Sequence, residues 1–131
     1  MKVLLTTDGR FPAIHALQEA SRLLAMQGAD VLLVSVSDPE QHTGGNLNAA
    51  QDVEDGIRVL KELGIDARGE MLRGDFIDAI IEKAHDWKAD VVVVGSDRSS
   101  KLMTFLGGSV STSIVRKYDG AVLVVPSKKK D

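Results

Sequence analysis

Short runs of aliphatic and β-branched residues alternate along the chain with stretches whose apolar positions recur every three or four residues. Alternation of period two and period 3.6 is the signature of βαβ units built around a parallel sheet. The first strand is expected over Val3 to Thr6, closed by the turn pair Asp8-Gly9. Pro12 suits the opening turn of the next helix, where a missing N–H removes no intrahelical bond. Ile14, Leu17, Ala20, Leu24 and Ala25 then follow at helical spacing, and Gly28 is expected to stop that helix.

Strand two, Val31 to Val36, is apolar at nearly every position, as a strand covered on both faces should be. Ser37 to Leu47 is polar, contains Pro39 and Gly44-Gly45, and reads as a loop. A second helix is expected from about Asn48 to Leu63, with Val53, Ile57, Leu60 and Leu63 on its inner face and Gly64 at its C-terminal cap. Strand three, Ala67 to Leu72, ends at Arg73-Gly74-Asp75. Asp75 can cap the helix that carries Phe76, Ile77, Ile80, Ile81 and Ala84. Strand four is the run Val91-Val92-Val93-Val94, ended by Gly95. A Ser/Gly-rich loop leads to a short helix opening near Gly108-Ser109, and strand five, Val122 to Val125, is closed by Pro126. The pattern predicts five strands and four helices, with no internal repeat or linker. One α/β domain over residues 1–131 is expected.

Composition narrows the function classes. The chain has 131 residues, 44% of them hydrophobic, and a net charge of -3, so no basic field draws in a nucleic acid backbone. One Trp, one Tyr and three Phe leave too few rings for a base-stacking platform. The single basic run, Lys128-Lys129-Lys130, reads as a solvated tail. With no cysteine there are no disulfides, thiolate metal sites or cysteine nucleophiles. The first apolar stretch is too short for the core of a signal peptide, and no apolar run approaches the roughly 18 residues of a membrane span. A cytoplasmic address is expected, with neither nucleic acid nor membrane as partner.

The candidate chemistry lies between Gly95 and Ser111. A chain leaving the carboxyl edge of a parallel sheet enters the region where open α/β sheets bind ligands. Gly107 and Gly108 permit close backbone approach to an anion, and the following helix offers unpaired N–H groups and the positive end of its dipole. Ser109, Ser111 and Thr112 add hydroxyls to the same turn. Taken alone, Gly-Gly-Ser reads equally well as a plain helix start capped by Ser109.

The order of these parts, a buried Val strand, a Gly, a polar loop and Gly-Ser opening a helix before a last Val strand, resembles the universal stress protein family. Nucleotide-binding members of that family carry Gly, two residues, Gly, nine residues, then Gly and Ser or Thr. Gly95, Gly108 and Ser109 match the first, third and hydroxyl positions with the total spacing kept. Asp8-Gly9, Val36, Gly74 and the stretch Val122 to Pro126 agree, so the resemblance covers essentially the whole chain. It implies an open five-stranded parallel sheet in the order 3-2-1-4-5 with helices on both faces, the adenine nucleotide alpha-hydrolase-like fold. It also implies ATP or AMP as ligand, with Mg, between strands one and four. Thr7, Asp8 and Val36 would then lie at the adenine and ribose, and Gly95, Gly108, Ser109, Val110 and Ser111 at the phosphates. Asp8 reads equally as a turn acid bonded to its own backbone.

The sequence departs from the family pattern at the second glycine, where Arg98 stands. Its guanidinium can fork onto phosphates, or its bulk can fill the cleft. The first outcome gives a nucleotide-binding stress regulator or sensor. The second gives a non-binding member that works as a dimeric protein-interaction module with an unknown protein partner. The sensor reading allows slow ATP hydrolysis at most; an enzyme on a related nucleotide-binding α/β fold is the third reading. There is no P-loop and no Gly-x-Ser-x-Gly elbow, and His15, His42 and His85 lack metal-ligand spacing. Val122-Leu123-Val124-Val125 reads as an apolar edge strand, and the resemblance implies that it pairs with a second copy in a homodimer.

Overall fold

The computed structural model describes residues 1–7, 11–37, 48–96 and 110–126. Five strands, β1 (Lys2–Thr6), β2 (Asp30–Ser37), β3 (Ala67–Arg73), β4 (Val91–Ser96) and β5 (Ala121–Pro126), alternate with four helices. These are α1 (Phe11–Leu23), α2 (Ala49–Glu62), α3 (Phe76–Trp87) and α4 (Val110–Lys117). All four strand pairings are parallel, and the sheet order is β3-β2-β1-β4-β5. The fold expected from the sequence is the one observed.

Strand alternation sorts the core into two layers. Val3, Leu5, Val31, Leu33, Val93 and Val125 project to one face and are covered by Ala16, Leu17 and Ala20 of α1 and Leu60 of α2. Leu4, Leu32, Val34, Val36, Val92 and Val94 project to the other, beneath Ile80 and Ala84 of α3 and Ile114 of α4. Burial on both faces is why β1, β2 and β4 are apolar at consecutive positions rather than alternating.

Caps fix where two helices stop and start. The Asp75 carboxylate accepts from the Asp78 N–H at 3.0 Å, so this residue is the N-cap of α3 as expected. At the end of α2 the Gly64 N–H donates to the Lys61 carbonyl and the Ile65 N–H to the Leu60 carbonyl. That is a Schellman cap, with Gly64 at φ +80 and the buried pair Ile65 and Leu60 as its apolar contact.

Three expectations are corrected. The first helix ends at Leu23, not at Gly28; the chain turns there, buries Met26 in the core, and uses Gly28 at φ +80 to re-enter the sheet. Leu63 is 41% exposed rather than inward, because it sits beyond the last turn of α2 as its C-cap, and Ala49, Asp52, Val53, Gly56 and Leu60 form the buried stripe. Gly95 does not end β4: pairing runs on through Gly95 with Val125 and Ser96 with Pro126.

Candidate functional site

Strand order reverses between β1 and β4. From β1 the chain moves outward to β2 and β3, while β4 returns to the other side of β1 and leads out to β5. Connections that leave neighbouring strands in opposite directions open a crevice at the carboxyl edge of the sheet, the usual ligand position in such folds. The end of β1 is held from both sides there. The Thr6 hydroxyl donates to the Val93 carbonyl at 3.0 Å, and the Thr7 N–H donates to the Val34 carbonyl at 3.0 Å.

Register places three positions in one row at this edge. Thr6 pairs with Val34 and Leu5 with Val93, so one and two residues further on Thr7 stands between Ser35 and Gly95. Alternation turns all three to the face covered by α1 and α2. The row therefore carries a hydroxyl on β2, a hydroxyl on β1 and no side chain on β4.

Polar burial is concentrated at the same edge. Among the described residues the buried polar side chains are Thr6, Thr7, Ser35 and Asp52. The first three close β1 and β2, and Asp52 lies in the first turn of α2, which starts where the chain has come over from β2. Helix α2 sits close on the sheet because Gly56 leaves room for Leu33: a Cβ at Gly56 would stand 2.5 Å from Leu33 Cδ2. One turn nearer its start, α2 brings Asp52 toward the level of Ser35. Buried polar groups are the informative exceptions in an interior this apolar.

Helix α4 precedes the parallel strand β5 and so begins at the carboxyl edge, its first-turn N–H groups facing the region beyond β4. Among the described residues no three His, Cys, Asp or Glu side chains gather as a metal site, and no helix is long and apolar enough to cross a membrane.

Of the residues singled out in the sequence, Thr7 and Gly95 meet at the switch point, and Val110 and Ser111 fall in the first turn of α4. The Val36 side chain packs in the opposite layer, beneath α3 and α4. Asp8, Arg98, Gly108 and Ser109 lie outside the described residues, as does His42. Ser35 and Asp52 escaped the sequence reading. The available signals were a Ser inside an apolar strand and an Asp one turn before Gly56 on the inner stripe of α2.

Residues 1–126 match the model of the universal stress protein family. The chain belongs to that family. A universal stress protein of Methanocaldococcus jannaschii is 29% identical over 143 residues, covering 99% of this chain and 84% of that protein. Among solved structures, a universal stress protein in complex with cAMP superimposes with a TM-score of 0.81 at 25% identity, covering 98% of each chain. A universal stress protein family protein from Arabidopsis thaliana with AMP bound shares the fold at a TM-score of 0.72 and 18% identity, covering 98% of this chain and 92% of that one.

Proposed function

We propose that this universal stress protein binds an adenine nucleotide, ATP or AMP, at the switch point between β1 and β4 and acts in the cytoplasm as a stress-response sensor or regulator. The observation that carries the reading is the row at the carboxyl edge, where Thr7 is buried beside a Gly95 that presents no side chain. Family membership and the cAMP-bound relative support it. The adenine and ribose lie toward β2, where the main chain at Val36 and the side chain of Thr7, with Asp8, meet them. The phosphates, with Mg beside ATP, lie toward Gly95, Gly108, Ser109, Val110 and Ser111. A few charge-assisted hydrogen bonds of about 1.5–3 kcal/mol each supply the roughly 8 kcal/mol of a micromolar complex. Arg98 adds a guanidinium to the phosphates.

Calorimetric titration with ATP and magnesium tests the reading, on the native protein and on Arg98→Gly. Micromolar binding by the native protein, weakened in the variant, is expected. No binding by the native protein, with binding gained in the variant, makes Arg98 a plug and the interaction module the better account.

A homodimer is part of the proposal, favoured by the outer strand. β5 ends the sheet order, and Val124 on it is 36% exposed. An apolar sheet edge is normally covered, and a second β5 across a two-fold axis covers it with main-chain hydrogen bonds. Val124→Lys is expected to shift the mass in solution at micromolar concentration from two chains to one. A native protein that is already monomeric there sinks the dimer.

A further inference from the structure

Ser35 is 1% exposed, and among the described residues its hydroxyl oxygen is the one buried side-chain polar atom without a hydrogen-bond partner. Its neighbours along β2 from Val31 to Val36 are all buried and apolar. A buried hydroxyl left unpaired disfavours the folded state, and an alanine would pack there without that cost. Ser35 stands beside Thr7 in the row at the carboxyl edge of the sheet, on the β2 side of the switch point.

We infer that the Ser35 hydroxyl is a ligand contact, completed when the heterocyclic base of the nucleotide enters the cleft; the inference rests on the nucleotide reading above. The chemistry of the surroundings selects the base over the phosphates. A neutral hydroxyl both donates and accepts, which suits the ring nitrogens and exocyclic groups along a base edge. A phosphate at this end would approach the Asp52 carboxylate, buried in the first turn of α2, whereas the start of α4 lies on the far side of β1 and carries the dipole that favours anions. Ser35 therefore lies at the end of the ligand away from the start of α4.

The test is Ser35→Ala, titrated with ATP, adenosine and inorganic tripolyphosphate beside the native protein, with thermal unfolding of both free proteins. Affinity for ATP and for adenosine should fall by the same factor, about 3- to 10-fold for one neutral hydrogen bond, and tripolyphosphate binding should not change. The midpoint of the free variant should stay level or rise by about 2–5 °C, since an unpaired group has been removed. Binding gets worse while the free fold does not, a pairing that a purely structural serine does not give. Unchanged ATP and adenosine affinity, or an equal loss for tripolyphosphate, overturns the assignment of Ser35 while leaving nucleotide binding intact. A midpoint lowered by more than about 3 °C overturns it too, because the hydroxyl is then satisfied in the free protein, by a trapped water for instance. A native protein that binds neither ATP nor adenosine overturns the nucleotide reading itself, and the role of Ser35 with it.

Discussion

Leu33→Ala should lower the unfolding free energy by about 2–5 kcal/mol, toward the upper end of that range. Leu33 is fully buried, and it fills the gap that Gly56 leaves in the inner face of α2. With the leucine gone, the helix backbone at Gly56 has no side chain of its own to fill the space, and Leu17, whose Cδ1 lies 3.4 Å from where a Cβ of Gly56 would stand, is the neighbour left beside it. The pairing also predicts a change of sign. In the native background Gly56→Ala gains about 1 kcal/mol of helix propensity but forces a methyl against Leu33, and overpacking of about 1–3 kcal/mol leaves a net loss. In the Leu33→Ala background the same methyl enters an empty space, and Gly56→Ala should restore about 1–2 kcal/mol. Urea denaturation of the four proteins gives the coupling directly. An equal effect of Gly56→Ala in both backgrounds would show that the helix and strand do not interlock here.

The largest functional effect is expected from Gly95→Val. The position is paired within β4–β5, where a β-branched residue suits the extended backbone, and thermal unfolding of the variant is the control. The new side chain, however, projects to the face that carries Thr7 and stands beside it in the candidate cleft. A ligand pushed out by that bulk loses its phosphate contacts together, and ATP affinity should fall at least about 30-fold, or some 2 kcal/mol. Calorimetry on a variant of native stability checks this. Retained affinity would move the ligand away from the β1–β4 switch point.

The layered fold was legible because each of its signals is local. Short β-branched and aliphatic runs such as Val91 to Val94 and Val31 to Val34, bounded by turn residues, read as strands covered on both faces, and Asp75 before Phe76 marks a helix start. The end of α1 was not legible. Helical spacing continues through Leu24 and Ala25, but the chain leaves the helix early to bury Met26, a demand set by the return to β2. Gly95 looked like a terminator because glycine weakens strands; its partner Val125 keeps it in the sheet, and partners are not visible in one segment. The candidate site was half legible. Thr7 and Gly95 follow from where two strands end. Ser35 and Asp52 gain meaning only from tertiary placement, since a serine in a strand does not announce whether its hydroxyl is paired.

The position of β1 bears on how the chain reaches this fold. It is the central strand, yet its two neighbours are made at very different times: β2 follows it by some two dozen residues, whereas β4 comes after about eighty-five. During synthesis β1, β2 and β3 can assemble while the far side of β1 still presents an unpaired apolar edge. Closing it requires a loop that spans most of the chain, and such long-range parallel pairing is slow. An incomplete chain that stops before Val91 is thus sticky along Val3 to Leu5, and the arrival of β4 both covers that edge and creates the crevice. The strand that removes the hazard is the same one whose placement opens the site.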